Sequence, residues 1–134
     1  MGVEIRVYYE DTDAGGVVYH ANYLGYLERS RTEFLRERGV SVKELADQGS
    51  IFPVIRMEID YRSPAVLDDL LQVGTELVKL GKTSFTVRQR VVRGCDGQLL
   101  VEALVTLVCA SSAMRAKRLP PALVQALQAE QPES

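Results

Sequence analysis

Residues 10–23 read EDTDAGGVVYHANY, and they bring Asp11, Asp13, Gly15, Gly16, Tyr19, Tyr23 and the sole histidine, His20, into one short segment. Asp13 stands beside Gly15-Gly16, where a backbone can approach a ligand closely. A carboxylate so placed can attack a carbonyl carbon or activate a water against it. The helix predicted next would begin with unpaired N–H groups and the positive end of its dipole. A carbonyl oxygen held there is polarised, and its oxyanion is stabilised. These parts make a minimal hydrolase for an activated acyl group. His20 can bind the substrate, orient the carboxylate or transfer a proton, or it is a satisfied residue at the helix start. Asp11 and Asp13 also read as turn and cap residues, and Tyr19 and Tyr23 as core.

The flanking elements must position this segment. Residues 3–10 (VEIRVYYE) place Val3, Ile5, Val7 and Tyr9 on one face, which predicts a strand. Residues 11–20 are a turn-rich loop. From 21 to 38, Tyr23, Leu24, Leu27, Phe34 and Leu35 recur at helical spacing. Ser30 falls where the stripe passes and suggests a tight contact. Gly39 suits a C-terminal cap. Ser41 with Glu44 gives a capping-box pattern for a short helix ending near Gly49. Strands follow at 51–62, 70–80, 84–93 and 98–109, with a tight hairpin at Asp96-Gly97. The last strand is nearly continuous in apolar residues and reads as central. Pro120-Pro121 opens a short amphipathic helix, and EQPES reads as a frayed end.

One long helix followed by a run of strands predicts an α+β fold, an antiparallel sheet with the helix on one face. One helix cannot cover every apolar face of such a sheet, so a second subunit is expected to cover part of it.

Composition removes several function classes. Apolar residues make up 46% and charged residues 25%, which predicts a single globular domain over 1–134. A net charge of -2 argues against general nucleic-acid binding. Cys95 and Cys109 form neither a disulfide framework nor a zinc motif, so reduced thiols and a cytoplasmic setting are expected. The first residues have no signal-peptide pattern, Arg6 stands where myristoylation needs Ser or Thr, and no apolar run is long enough to insert stably in a membrane. The run from Asp11 superficially opens like a calcium loop. It fails with Gly15 at the fifth position and Asn22 at the twelfth. No metal site or cofactor is predicted.

Lys82, Arg88, Arg90 and Arg93 lie in a stretch with no acid between 77 and 95. They read as a phosphate-binding patch or as a solvated strand face. Gly81-Lys82-Thr83-Ser84 offers amide, hydroxyl and ammonium groups together and is the better phosphate candidate. Arg115, Lys117 and Arg118 cluster near the end.

The segment YYEDTDAGGVVYHANYLGYLERSRTEFLRERG (8–39) resembles the signature of hotdog-fold acyl-CoA thioesterases, in particular the YbgC-type group of the 4-hydroxybenzoyl-CoA thioesterase-like family. The likeness continues through 52–73 and 81–91. It implies a hotdog fold, in which a curved five-stranded antiparallel sheet wraps a long central helix. It also implies hydrolysis of an acyl-CoA to free acid and coenzyme A without a cofactor, and pairing into homodimers that commonly form homotetramers. By the same resemblance the catalytic carboxylate falls on Asp13, as nucleophile or general base, with Tyr19 and His20 completing the catalytic group. Gly16, Asn22, Lys82, Thr83 and Ser84 become the substrate-binding residues. Two other readings remain at this point. One is a hotdog hydratase or dehydratase using His20 and Asp13; the other is a non-catalytic acyl-CoA-binding or Tol-Pal-associated partner protein. Thiol release measured against hydration of an enoyl-CoA separates the enzymes, and binding without turnover marks the third.

Overall fold

The computed structural model describes residues 2–130. Strands β1 (Val3–Arg6), β2 (Val54–Tyr61), β3 (Leu70–Leu80), β4 (Ser84–Arg93) and β5 (Leu99–Val108) form one antiparallel sheet. Its order is β1-β3-β4-β5-β2. Helix α1 (Asn22–Glu37) packs on the inner face towards β3 and β1. Helix α2 (Val42–Asp47) packs on α1, and α3 (Pro121–Gln128) packs against β3. The α+β arrangement of one long helix on a five-stranded sheet is therefore as expected. The central strand is β4, however, not β5, which lies between β4 and β2.

Two other expectations are corrected. The first strand stops at Arg6, and Tyr9–Asp11 form a 3-10 turn that throws Tyr9 into solvent at 82% exposure. The period of two survives only through Ile5 and Val7, both buried. In α1 the buried stripe is Tyr23, Tyr26, Leu27, Ser30, Phe34 and Leu35, and Leu24 is 44% exposed. Position 24 is one residue from Tyr23, a rotation of about 100° off the stripe. Gly39 closes α1 as expected. At φ +80 it lets the Gly39 amide reach the Arg36 carbonyl at 3.0 Å and the Val40 amide reach that of Leu35 at 2.9 Å. Ser41 caps α2 by accepting from the Glu44 amide at 3.2 Å. The frayed end expected for EQPES falls mostly on 131–134, outside the described residues; Glu130 is ion-paired to Arg38 at 2.8 Å.

The inner face of β4 explains how α1 is seated. Phe85, Val87 and Val91 are buried there, and so is Gln89, with no exposed surface. Its Nε2 donates to the Leu27 carbonyl at 2.9 Å and to the Thr75 hydroxyl at 2.7 Å. Its Oε1 accepts from Arg31 at 3.0 Å. Ser30, also buried, reaches the Val73 carbonyl at 3.0 Å and the Thr75 hydroxyl at 2.7 Å. The tight contact expected at Ser30 is thus a hydrogen-bonded one. A buried polar group is tolerated only when it is satisfied, so these bonds fix both the height and the rotation of α1.

The outer face carries charge in a lattice. Glu76 pairs with Arg88 and Arg90 at 3.3 Å each, Arg90 reaches Glu102 at 2.8 Å, and Glu102 meets Arg62 at 3.4 Å. Arg93 is held by Asp69 at 3.3 Å and Asp96 at 2.9 Å. The structure favours the solvated face for Arg88 and Arg90, which cross-strand acids neutralise, while Arg93 is largely covered and held by acids just outside the strands. Among the described residues no helix is long and apolar enough to cross a membrane.

Gln89→Leu is expected to lower unfolding stability by about 2 kcal/mol, because Arg31 and the other partners lose a buried bond; urea denaturation measures it. The lattice also sets an acid limit. The Gln98 amide and Arg93 hold the Asp96 carboxyl below its ordinary value, and Arg90 does the same to Glu102. Their contribution is full above the ordinary carboxylate range, about pH 4, and is lost as the pH falls through the lowered folded values. The thermal midpoint should drop on acidification from pH 6 to 3, and less so in an Asp96→Asn, Glu102→Gln variant.

Candidate active site

The connection from β1 to α1 is a small hairpin tied down by Asp11. The Asp11 carboxylate accepts from the Tyr8 amide at 2.8 Å and from the Asn22 side-chain amide at 3.3 Å. Its carbonyl accepts from the Tyr19 amide at 2.9 Å. Thr12 bridges Val18, and Val18, itself buried, donates to the Ala65 carbonyl at 2.9 Å. The turn reading is therefore right for Asp11, whose carboxylate links the loop to the first residue of α1.

Asp13 sits at the exposed tip. Its amide donates to Val17 at 2.9 Å, its carbonyl accepts from Gly16 at 3.0 Å, and its Oδ1 accepts from the Gly15 amide at 2.8 Å. Gly16 has φ +80, a conformation that glycine adopts at little cost. A Cβ on Gly15 would come within 3.2 Å of that same Oδ1. Among the described residues Oδ2 has no hydrogen-bond partner, so one carboxylate oxygen is fixed and the other is left to a ligand.

At the start of α1 the Asn22 amide donates to the Tyr19 carbonyl at 2.8 Å and the Leu24 amide to that of Ala21 at 3.1 Å. Ala21 is its N-cap, no side chain caps it, and no acid stands in its first turn. The acid at that end comes from the loop: Asp11, bound to the Asn22 side chain at 3.3 Å. His20 precedes it, exposed, with its ring 4.6 Å from Tyr19 and 6.3 Å from Tyr61. The Tyr61 hydroxyl donates to the His20 carbonyl at 3.1 Å. Tyr19 is 46% exposed, so it is not the core residue that the alternative reading allowed; Tyr23 is, at 2%. The Tyr23 hydroxyl accepts from the Ala65 amide at 3.1 Å, and burial pushes its pKa up. Val18, His20, Tyr23, Tyr61, Arg62 and Pro64 line a groove of about 260 Å³. Tyr61 is the residue that sequence reasoning missed here. Its only signal was an aromatic in the inward phase at the end of β2.

Lys82, Thr83 and Ser84 lie elsewhere. The Lys82 carbonyl accepts from Leu119 at 3.0 Å and that of Thr83 from Cys109 at 2.7 Å. Lys82 and Arg118 flank a second groove, of about 370 Å³, against α3. Ser84 is registered opposite Val108, whereas Tyr61 is opposite Val101. Seven residues along β5 separate them, roughly 23 Å. One protomer therefore brings Asp13, Gly16, Tyr19, His20 and Asn22 to one end of the sheet and Lys82, Thr83 and Ser84 to the other. Among the described residues no three His, Cys, Asp or Glu side chains converge as metal ligands.

Residues 7–127 match the family model of the thioesterase-like superfamily. The acyl-CoA thioester hydrolase YbgC of Escherichia coli O157:H7 is 45% identical over 121 residues, 90% of each chain. The acyl-CoA thioesterase YbgC of Haemophilus influenzae is 44% identical over 106 residues, 78% of this chain and 76% of that one. Among solved structures, the hypothetical protein TT1821 from Thermus thermophilus superposes with a TM-score of 0.89 at 34% identity, covering 96% of this chain and 97% of that one.

Asp11→Ala removes two carboxylate bonds that anchor the loop. It should cost about 1–2 kcal/mol of stability and open residues 8–19 to proteolysis at a rate above that of the unaltered chain.

Proposed function

We infer the chemistry from one premise: this chain belongs to the thioesterase-like superfamily and shares the hotdog fold of its structural neighbours. It is a thioester hydrolase, and the substrate it acts on is an acyl-CoA. The observation that carries the mechanism is the carboxylate of Asp13, with Oδ1 pinned by the Gly15 amide and Oδ2 unengaged, on the loop that leads into an uncapped helix.

The thioester oxygen docks at the helix-start amides near His20, since those of Asn22 and Leu24 are taken by the Tyr19 and Ala21 carbonyls. Sulfur donates little electron density to its carbonyl, so a carboxylate and a polarising helix end suffice for attack. In one route Oδ2 adds to the carbonyl carbon, coenzyme A leaves as its thiolate and takes up a proton, and water then hydrolyses the acyl-aspartyl anhydride. In the other, Asp13 takes the proton of a water that adds directly, and the same thiolate leaves. Both give free acid and thiol. Label found in Asp13 after a single turnover in ¹⁸O water marks the first route, with water adding to the aspartyl carbonyl of the anhydride. His20 and Tyr19 border the acyl carbonyl, and Gly16 gives the backbone its close approach.

The remaining binding residues reach this site from a second subunit. β2 pairs with β5 on one edge only, and its other edge is open among the described residues. α1 does not cover it: Ile55 is 61% exposed and Tyr61 46%. Two copies joined edge to edge by a twofold axis pair their β2 strands antiparallel. The Tyr61 end of one then lies beside the Val54 end of the other, the end at which that subunit's β4 begins with Ser84. This arrangement supports the expected homodimer and carries Lys82, Thr83 and Ser84 of one protomer towards His20 of its partner, where they meet the phosphates of coenzyme A.

Asp13→Asn should lose nearly all thiol release from acyl-CoA while keeping its melting temperature and dimer; most of the turnover surviving would overturn the assignment. Ile55→Lys should shift the chain to monomer in sedimentation and lower kcat/KM with it.

A further inference from the structure

A cavity of about 410 Å³ lies between α1, α2 and the inner face of the sheet, away from the Asp13 loop of the same protomer. That is within the usual range for small-molecule sites. Much of its wall is apolar, from Phe34, Phe52, Phe85 and Leu107, while Glu28, Arg36 and Lys43 border it. Into it comes Arg31. The side chain leaves α1 half-buried against the sheet.

The surroundings of that guanidinium are unusual. Among the described residues its one hydrogen bond is from Nη1 to the neutral Gln89 amide oxygen at 3.0 Å. Among the described residues no carboxylate comes within ion-pair distance. Glu28, one turn away, instead accepts from the Thr32 hydroxyl at 2.7 Å. The other cations on the cavity wall are already answered, Arg36 by Glu33 and Lys43 by Asp47. Burial pushes the Arg31 pKa down, and the charge of Glu28, which also borders the cavity, offsets part of that. Four of its five N–H donors remain for a ligand. The hydroxyl of Thr75, already held by Ser30 and Gln89, completes the polar floor.

A largely apolar chamber whose guanidinium is offset by Glu28 only at a distance, with no carboxylate paired to it among the described residues, is complementary to a molecule with an apolar body and a single anionic end. A planar carboxylate matches the fork of Arg better than a point anion does. We propose that this cavity binds a monocarboxylic acid with an aliphatic body, its carboxylate on Arg31 and its chain among Phe34, Phe52 and Phe85. The reaction proposed above releases acids of this class, so occupancy would report product to the enzyme; the site itself rests on the cavity and Arg31, not on Asp13.

Calorimetric titration of the full chain with decanoate and with 1-decanol at pH 7 tests it. Decanoate should saturate one site per chain and bind at least about tenfold more tightly than the alcohol. Arg31→Met should remove that preference, weakening decanoate about tenfold or more while leaving decanol within about twofold; a folding defect would weaken both. Ala46→Trp, on the exposed side of the cavity mouth, should exclude both ligands without lowering the melting temperature. No saturable uptake of decanoate, as when a second copy fills the cavity, overturns the proposal. So does equal affinity for acid and alcohol, or a preference that survives in Arg31→Met. Asp13→Asn should still bind decanoate, so loss of its turnover bears on the catalytic reading alone.

Discussion

The position of α1 rests on a polar clamp inside an apolar core. Gln89, Ser30 and Thr75 bind one another, the Leu27 carbonyl and the Val73 carbonyl, all on the inner face of the sheet. Apolar packing is non-directional and would let the helix slide or rotate with small loss. Hydrogen bonds with a cost for misalignment do not. The clamp therefore converts a buried stripe into one defined seat, and the first turn of α1 sits where the Asp11 side chain can hold Asn22.

The active loop inherits that precision. Its two aspartates divide the work. Asp11 is spent on the fold, joining Tyr8, Tyr19 and the helix start. Asp13 is held by one oxygen only and keeps the other outward. Beneath them Tyr26 is buried with its hydroxyl beside the Asp11 carboxylate but without a well-formed hydrogen bond, and burial together with that charge raises its pKa. The phenol stays neutral.

Charge is used differently on the two faces of the sheet. Outside, Glu76 and Glu102 interleave with Arg62, Arg88 and Arg90, so a row of arginines that resembles an anion site in one dimension is locally neutral in three. Inside, Arg31 is given a neutral partner and a largely apolar chamber. The same residue type is thus a surface tie in one setting and a charge without a paired carboxylate, among the described residues, in the other.

The sequence by itself determined the element order, the bounds of β3 and β4, the Gly39 and Ser41 caps and the concentration of chemistry in 10–23, because these follow from local periodicity and backbone preference. The tertiary structure decided what periodicity cannot see. A bulge at Ile55 shifts the phase of β2, so Val54 rather than Ile55 faces Leu107. Cross-strand acids decide which arginines are neutralised. Gln89, one polar residue in an inward phase, has meaning only once α1 lies over it. The separation of Lys82, Thr83 and Ser84 from His20 follows from strand order and register. Contacts between residues far apart in the chain depend on how the sheet is assembled, and no window of sequence contains both partners.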